Sequence, residues 1–164
     1  MPSGQSNGWY RREVTPSQGN IKSFTPRASF EVTLDSRLTP TELWDRLWDL
    51  DRHTAAVPLT RVGSSDGSPL REGHRFVART QLGPVWFDDR MVVETWQPPL
   101  VAVVEKTGPI LTGTIRARVE AAGLGSRLHW EQEFGARGIP NALAALARGP
   151  VASGYARVLQ RILG

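Results

Sequence analysis

The sequence predicts an α+β domain in which helices pack on one antiparallel sheet. Three observations carry this prediction. The alternating segment "SFEVTL" precedes a capped amphipathic helix, a run of strands extends to about Phe134, and helical composition returns at the C-terminus. Short connections between strands favour antiparallel pairing, and helices segregated from such a sheet are typical of the α+β class. If the sheet curls around the last helix, a concave space opens between them.

Length and composition predict one folded domain over residues 27–164, preceded by a flexible arm over residues 1–26. The arm is rich in Gly, Ser, Pro and Gln and has no sustained period. A chain of 164 residues is long enough to bury a core without metals or disulfides, and the absence of cysteine excludes thiolate chemistry. No segment approaches the roughly 20 apolar residues that span a bilayer, and no signal-peptide core is present. A cytoplasmic protein is therefore predicted.

The first helix is predicted from its capping residues. Thr39 is a suitable N-cap, Pro40 suits the first helical position, and Glu42 completes a capping box. An apolar stripe follows, made of Leu43, Trp44, Leu47, Trp48 and Leu50. We interpret this stripe as the face that packs on the sheet, and "DRHTAAVP" after it as the bend that shapes the mouth of a pocket.

The central strands are predicted from alternation and turn residues. "RFVARTQL" and "VWFDDRMVVETW" are separated by Gly83 and Pro84, as in a tight hairpin, and "GSSDGSPLREG" before them is a loop. "VAVVEKTG", "GTIRARVEA" and "SRLHWEQEF" supply further strands. One face of the second strand is the more apolar and should point inward; it carries Val85, Phe87, Asp89, Met91 and Val93. In the C-terminal helix, Gly149 and Pro150 are expected to kink or interrupt the backbone.

This order of elements, with the stretches "DRHTAAVPLT", "GHRFVARTQLGPVWFDDRMVVETWQPP" and "GSRLHWEQEF", resembles the SRPBCC (START-like) superfamily. It is most similar to the polyketide cyclase/dehydrase-like branch from high-GC bacteria, over about residues 27–164. The resemblance implies a helix-grip fold, in which a bent antiparallel sheet wraps a long C-terminal helix around an apolar cavity. Members bind lipids, sterols, polyketides or plant hormones, some catalyse cyclisation or dehydration, and some mediate protein interactions. Function must therefore be argued from the pocket.

Asp89 is the first candidate catalytic residue. A carboxylate on an apolar face is costly to leave unpaired, and its desolvation is one way to obtain a general acid or base. Pairing with an arginine is the structural alternative. The candidates are Arg79 and Arg116, although alternation places both on outward faces, so that a bulge would be needed to bring either inside.

His53 is the second catalytic candidate, because the resemblance implies a short helix at the cavity entrance just past the first helix. Histidine suits proton transfer at neutral pH, but a lone histidine also serves as a cap or surface residue. His74 and His129 are weaker candidates. Three scattered histidines have no metal-ligand spacing, and hydrolase, kinase and nicotinamide motifs are lacking. The sequence therefore predicts no metal and no cofactor.

The candidate ligand-binding residues are bulky apolar side chains that either line a cavity or fill a core: Phe76, Phe87, Met91, Trp130, Phe134, Leu146 and Tyr155. Members of the family generally have an open cavity at this place, and the resemblance therefore favours ligand binding over core filling.

The leading hypothesis is a monomer or homodimer that binds a small, mainly apolar molecule of lipid or polyketide-like class, with Asp89 orienting a polar group. Whether it also catalyses cofactor-free cyclisation or dehydration by general acid–base chemistry is left open. One alternative is a protein-interaction module with a filled cavity, which associates through its basic surface or residues 1–26. Another is RNA or ribosome association through arginines. The net charge of +4 is scattered among acidic residues, which argues against nucleic acid as the partner.

Overall fold

A computed structural model of the protein describes residues 28–138 and 141–164, and the side chains of residues 28–138 and 148–164. The predicted arm over residues 1–26 lies outside this description. The elements, in chain order, are β1 (Ala28–Ser36), α1 (Pro40–Leu47), α2 (Leu50–Ala56), β2 (Thr60–Ser64), β3 (Arg75–Leu82), β4 (Val85–Gln97), β5 (Val101–Thr107), β6 (Leu111–Ala122), β7 (Gly125–Ala136) and α3 (Asn141–Leu163).

The seven strands form one antiparallel sheet in the order β1-β7-β6-β5-β4-β3-β2. The first strand therefore pairs with the last, along a register that runs from Ala28 opposite Phe134 to Ser36 opposite Ser126. The segment containing α1 and α2 crosses from one edge of the sheet to the other, and the sheet curls around α3. The α+β prediction is confirmed. None of the described helices has the length and apolarity needed to cross a bilayer.

The capping box of α1 is present as predicted. Thr39 Oγ1 accepts from the Glu42 amide at 3.3 Å, and Glu42 Oε2 accepts from the Thr39 amide at 2.9 Å. The predicted apolar stripe, however, is divided between two helices, because α1 ends at Leu47 and the Asp49 side chain caps a new helix that starts at Leu50. The stretch "DRHTAAVP", which was predicted to be a bend, is therefore mostly helical, since α2 continues to Ala56.

The inward face of β4 follows the predicted alternation, except at its start. Asp89, Met91 and Val93 are buried and Phe87 is half-buried, whereas Val85 is 67% exposed. Val85 adjoins the hairpin turn and is not among the residues that line the cavity, so the prediction that it lines the cavity is wrong. Strand β2 was not predicted, since "TRVGS" is short and has little apolar alternation; its pairing with β3 makes it a strand.

A β-bulge in β4 re-aims an aromatic side chain. The register between β4 and β5 shifts between Val93 and Thr95, and one extra residue reverses the alternation beyond that point. Trp96 consequently packs inward, with its ring centroid 4.9 Å from that of Trp44 and 5.3 Å from that of Trp48. These tryptophans fix α1 and the start of α2 on the sheet.

Helix α3 is continuous through Pro150, so of the two expected effects the interruption is wrong and the kink stays a prediction. Proline removes one hydrogen bond of the helix, while the turns that follow pack Tyr155 and Leu159 on the core. The C-terminal end is also held, because Arg46 Nη1 donates to the Leu163 carbonyl at 2.9 Å. A cation at this end satisfies a free carbonyl and complements the helix dipole.

Candidate functional site

A cavity of about 200 Å³ lies between the inner face of the sheet and the helices. Strands β2 to β7 supply its floor, and α2 and α3 cover it. The described side chains that line it are mainly apolar: Trp48, Leu50, His53, Val57, Thr60, Val62, Phe76, Ala78, Thr80, Phe87, Asp89, Met91, Lys106, Leu111, Ile115, Trp130, Tyr155 and Val158. The few polar groups among them are therefore the ones able to orient a ligand.

Most of the predicted site residues meet in this cavity: His53, Phe76, Phe87, Asp89, Met91, Trp130 and Tyr155. Phe134 is not among its lining residues; its ring packs on that of Phe30, at a centroid distance of 6.0 Å. The prediction that Phe134 lines the cavity is wrong. The side chain of Leu146 lies outside the described part of the chain. Binding and catalytic roles for these residues stay predictions.

Asp89 forms a buried ion pair with Lys106. Their exposed fractions are 7% and 6%, and Lys106 Nζ donates to Asp89 Oδ2. Lys106 stands directly opposite Met91 in the register, so Asp89 is its diagonal neighbour on the same face. The second carboxylate oxygen, Oδ1, is buried and has no hydrogen-bond partner in the part of the chain that the structure describes. The cavity thus contains a fixed carboxylate with one acceptor oxygen unused.

The arginines suggested as partners of Asp89 point away from the cavity. Arg79 donates from Nε and Nη2 to the two carboxylate oxygens of Asp88, at 2.7 and 2.9 Å. Arg116 Nη1 lies 4.0 Å from Glu133 Oε1, with both side chains exposed. The alternation that made these arginines outward-facing holds at both positions, so the suggested pairing is wrong.

Lys106 is the functional candidate that sequence reasoning missed, although a signal for it was present. Alternation in "VAVVEKTG" puts Ala102, Val104 and Lys106 on one face, and all three are buried. A lysine at the end of an apolar face is usually interpreted as the point where the strand becomes exposed to solvent. Only the pairing of β5 with β4 shows that its ammonium group reaches a buried carboxylate.

His53 is held in a neutral form at the cavity wall. Burial lowers the pKa of its imidazole below the ordinary value, against the opposing effects of a hydrogen bond to Leu47 and the charge of Asp49. Its Nε2 lies 2.6 Å from the Leu47 carbonyl oxygen. Because a carbonyl only accepts, Nε2 carries the proton, and Nδ1 of the neutral ring is an acceptor.

The indole nitrogens of the cavity differ in their partners. Trp130 Nε1 donates to Gln132 Oε1 at 3.2 Å, whereas Trp48 Nε1 is buried and finds no hydrogen-bond partner within the described residues. The hydroxyl groups of Thr60 and Thr80 bond to each other at 2.8 Å. Among the described residues, the buried polar atoms of the lining that have no partner are therefore a donor on Trp48 and an acceptor on Asp89, beside the acceptor Nδ1 of His53.

The remaining histidines lie elsewhere. His74 Nε2 is 2.7 Å from Asp66 Oδ1 near the start of β3, and His129 Nε2 is 3.0 Å from Glu120 Oε1 on the outer face. Neither lines the cavity. Across residues 28–138 and 141–164, no three His, Asp or Glu side chains are grouped as metal ligands would be.

No family model and no curated protein matches the chain. Several solved structures, in contrast, are similar to it in fold. The crystal structure of Ara h 8.0201 is 14% identical with a TM-score of 0.66, covering 84% of this chain and 95% of that one. The di-domain ARO/CYC StfQ from the steffimycin biosynthetic pathway is 14% identical with a TM-score of 0.63, covering 82% of this chain and 49% of that one.

A third similar structure is the Polyketide_cyc-like protein Cgl2372 from Corynebacterium glutamicum. It is 15% identical with a TM-score of 0.58, covering 82% of this chain and 88% of that one. At such identities these structures show the fold and not the function. They confirm that the chain has the helix-grip fold, shared with polyketide cyclase-like proteins.

Proposed function

We propose that the protein is a member of the SRPBCC superfamily that binds a small, mainly apolar molecule of lipid or polyketide-like class between the sheet and α3. The observation that carries this proposal is the apolar cavity of about 200 Å³ with an ion pair buried in its wall. Protein interiors pack as densely as organic crystals, and voids larger than a water molecule are few. A gap of this size among aromatic side chains is the space that a ligand would fill.

The polar groups of the cavity support ligand binding over a filled core. A core filled by its own side chains does not require a buried ion pair, because apolar residues of similar volume often stabilise the folded state at least as well. Asp89 and Lys106 are both more than nine-tenths buried. A charged pair in an apolar wall can instead orient the one polar end of an apolar ligand.

The surface arginines favour this function over nucleic-acid binding. Several are engaged by carboxylates, in the pairs Arg79–Asp88, Arg127–Asp35, Arg71–Asp66 and Arg52–Asp49. Affinity for nucleic acid comes mainly from cations that neutralise phosphates, and a cation that already faces a carboxylate contributes little to it. The interaction module with a filled cavity stays the alternative that the binding experiment below tests.

Catalysis is the second candidate function, favoured by the presence of His53 in the same cavity as Asp89 and Lys106. Dehydration of a β-hydroxy carbonyl compound requires a base that removes the proton between the two groups and an acid that protonates the departing hydroxyl, which leaves as water. His53 Nδ1 is an acceptor in a neutral ring and would take that proton, while the Lys106 ammonium group would protonate the hydroxyl that Asp89 orients. After water leaves, the proton on His53 would return to Lys106 through solvent. A His53→Gln variant that binds ligand normally but loses turnover would support this role; unchanged turnover would remove it.

The binding test is a titration with an environment-sensitive apolar dye, followed by competition with fatty acids, sterols and aromatic polyketides. Phe87→Arg places a guanidinium in the cavity wall and should abolish saturable binding. Trp86→Arg is the matched control, because the adjacent side chain on the same strand faces outward and is 56% exposed.

Saturable one-to-one binding to the wild type and to Trp86→Arg, lost in a folded Phe87→Arg variant, is the expected result. Equal binding by both variants would place the dye on the surface. No saturable binding to the wild type would favour a filled cavity, and partner capture would then be the next experiment.

A further inference from the structure

Asp89 and Trp48 line the cavity, and each has a buried polar atom with no hydrogen-bond partner among residues 28–138 and 148–164: Asp89 Oδ1 and Trp48 Nε1. Among the described residues, the third such atom is His74 Nδ1, which lies away from the cavity. Buried polar groups are nearly always hydrogen-bonded, and each exception calls for an explanation. One of the two atoms in the cavity wall is an acceptor and the other is a donor. A ligand that carries both a donor and an acceptor could bind both atoms.

The chemistry of each atom defines the ligand group that it can bind. An ionised carboxylate only accepts hydrogen bonds, so Asp89 Oδ1 requires a donor such as a hydroxyl. An indole nitrogen only donates, so Trp48 Nε1 requires an acceptor such as a carbonyl. Lys106 holds Asp89 Oδ2 from the other side, which fixes the carboxylate and leaves Oδ1 as its accepting atom.

The volume of the cavity indicates how much of a ligand it can enclose. A cavity of about 150 Å³ holds benzene, which has six non-hydrogen atoms. Scaling from that case, about 200 Å³ accommodates roughly eight to ten such atoms. The walls carry the rings of Phe76, Phe87, Trp130 and Tyr155, and aromatic faces and edges pack well on another ring.

We infer that the natural ligand is a compact, single-ring hydroxylated aromatic carbonyl compound, whose hydroxyl donates to Asp89 Oδ1 and whose carbonyl accepts from Trp48 Nε1. This inference rests on the proposed function and narrows its ligand class. It makes Asp89, Lys106 and Trp48 the residues that determine specificity, while the aromatic walls supply affinity for any ring.

The test compares three probes of nearly equal size by calorimetric titration: 4-hydroxyacetophenone, 4-methylacetophenone and 4-ethylphenol. The second lacks the hydroxyl donor and the third lacks the carbonyl. Loss of a buried hydrogen bond to a charged group predicts that 4-hydroxyacetophenone binds wild-type protein about ten- to a hundredfold more tightly than 4-methylacetophenone. Its advantage over 4-ethylphenol is expected to be about three- to tenfold, since that bond joins neutral groups.

Variants assign each preference to its atom. The double variant Asp89→Leu with Lys106→Met replaces the buried pair by apolar side chains of similar volume, and should abolish the preference for the hydroxyl. The matched control is Asp88→Leu with Arg79→Met, which removes the adjacent pair on the outer face and should retain that preference. Trp48→Phe should abolish only the preference for the carbonyl.

Two results would overturn the inference: equal affinities of the three probes for the wild type, or a hydroxyl preference that survives in the Asp89→Leu/Lys106→Met variant. The apolar dye separates these failures from failure of the proposed function. If the dye binds saturably while the probes do not discriminate, the cavity binds another ligand class. If the dye does not bind, the proposed function itself fails.

Discussion

The Asp89–Lys106 pair makes a prediction about stability that needs no ligand. Lys106→Met removes the cation and leaves a carboxylate that is 7% exposed without a charge partner. Breaking a buried ion pair in this way costs about 3–5 kcal/mol. Replacing both residues, in Asp89→Leu with Lys106→Met, removes the unpaired charge as well and is expected to be neutral or to stabilise by about 1–4 kcal/mol. The second substitution should therefore rescue the first.

The assay is a double-mutant cycle measured by urea unfolding, with the midpoint and slope of each transition. The outer pair is the control: the Arg79 side chain is 54% exposed, and Arg79→Met is expected to cost about 0–1 kcal/mol, as exposed pairs do. A domain of this size has a free energy of unfolding of about 5–15 kcal/mol. Lys106→Met should therefore remove a large fraction of that free energy and lower the urea midpoint accordingly. A cost below about 1 kcal/mol, or no rescue by Asp89→Leu, would refute a dry, buried pair.

Three further predictions concern stability. Burial lowers the pKa of His53 from its ordinary 6.5, so the unfolded chain takes up a proton that the folded protein does not. The free energy of unfolding should therefore decline as pH falls below about 6.5. His53→Gln should flatten the decline of the urea midpoint between pH 7 and 5, and an unchanged slope would contradict this prediction. Thr39→Ala should cost about 1 kcal/mol through loss of the capping box, measured at pH 7. Leu128→Ala, at 0% exposure, should cost about 2–5 kcal/mol, whereas the fully exposed Leu124→Ala should change stability by less than about 0.5 kcal/mol.

The strands of this fold were predictable because one face of each is buried and the other is not. Phe30 and Val32 in β1, and Met91 and Val93 in β4, alternate with exposed or half-exposed residues, and this signal is local. Strand β2 has no comparable signal, because "TRVGS" becomes a strand only through pairing with β3. The inward turn of Trp96 also escaped prediction, since a bulge reverses alternation without any mark in the sequence.

The candidate site was predictable in its walls but not in its chemistry. The aromatic residues and Asp89 follow from the strand faces, which are set by a period of two. The partner of Asp89 depends on which strand lies beside β4 and in what register, and both are properties of the assembled sheet. Lys106 was therefore visible on the correct face of its own strand, while its contact with Asp89 was not.

Packing is unequal across the domain, and this inequality explains how an open cavity is tolerated. The fully buried side chains belong mostly to α1, the end of α3 and strands β5 to β7, among them Leu43, Leu47, Val104, Leu128 and Leu159. Around β2, β3 and the start of β4, the lining residues Val62, Ala78, Thr80 and Phe87 are only half-buried.

One side of the molecule thus supplies the packed core, and the other holds the space that we assign to a ligand. Changes to uncharged lining residues on the open side should cost less stability than changes of equal size in the packed side, because side chains there have fewer buried contacts to lose. A bound ligand should compensate for the looser packing of the open side. At a concentration one hundred times its Kd, it adds about 2.7 kcal/mol to the free energy of unfolding. That amount is comparable to one well-packed leucine, and it would come from the part of the protein that packs least well alone.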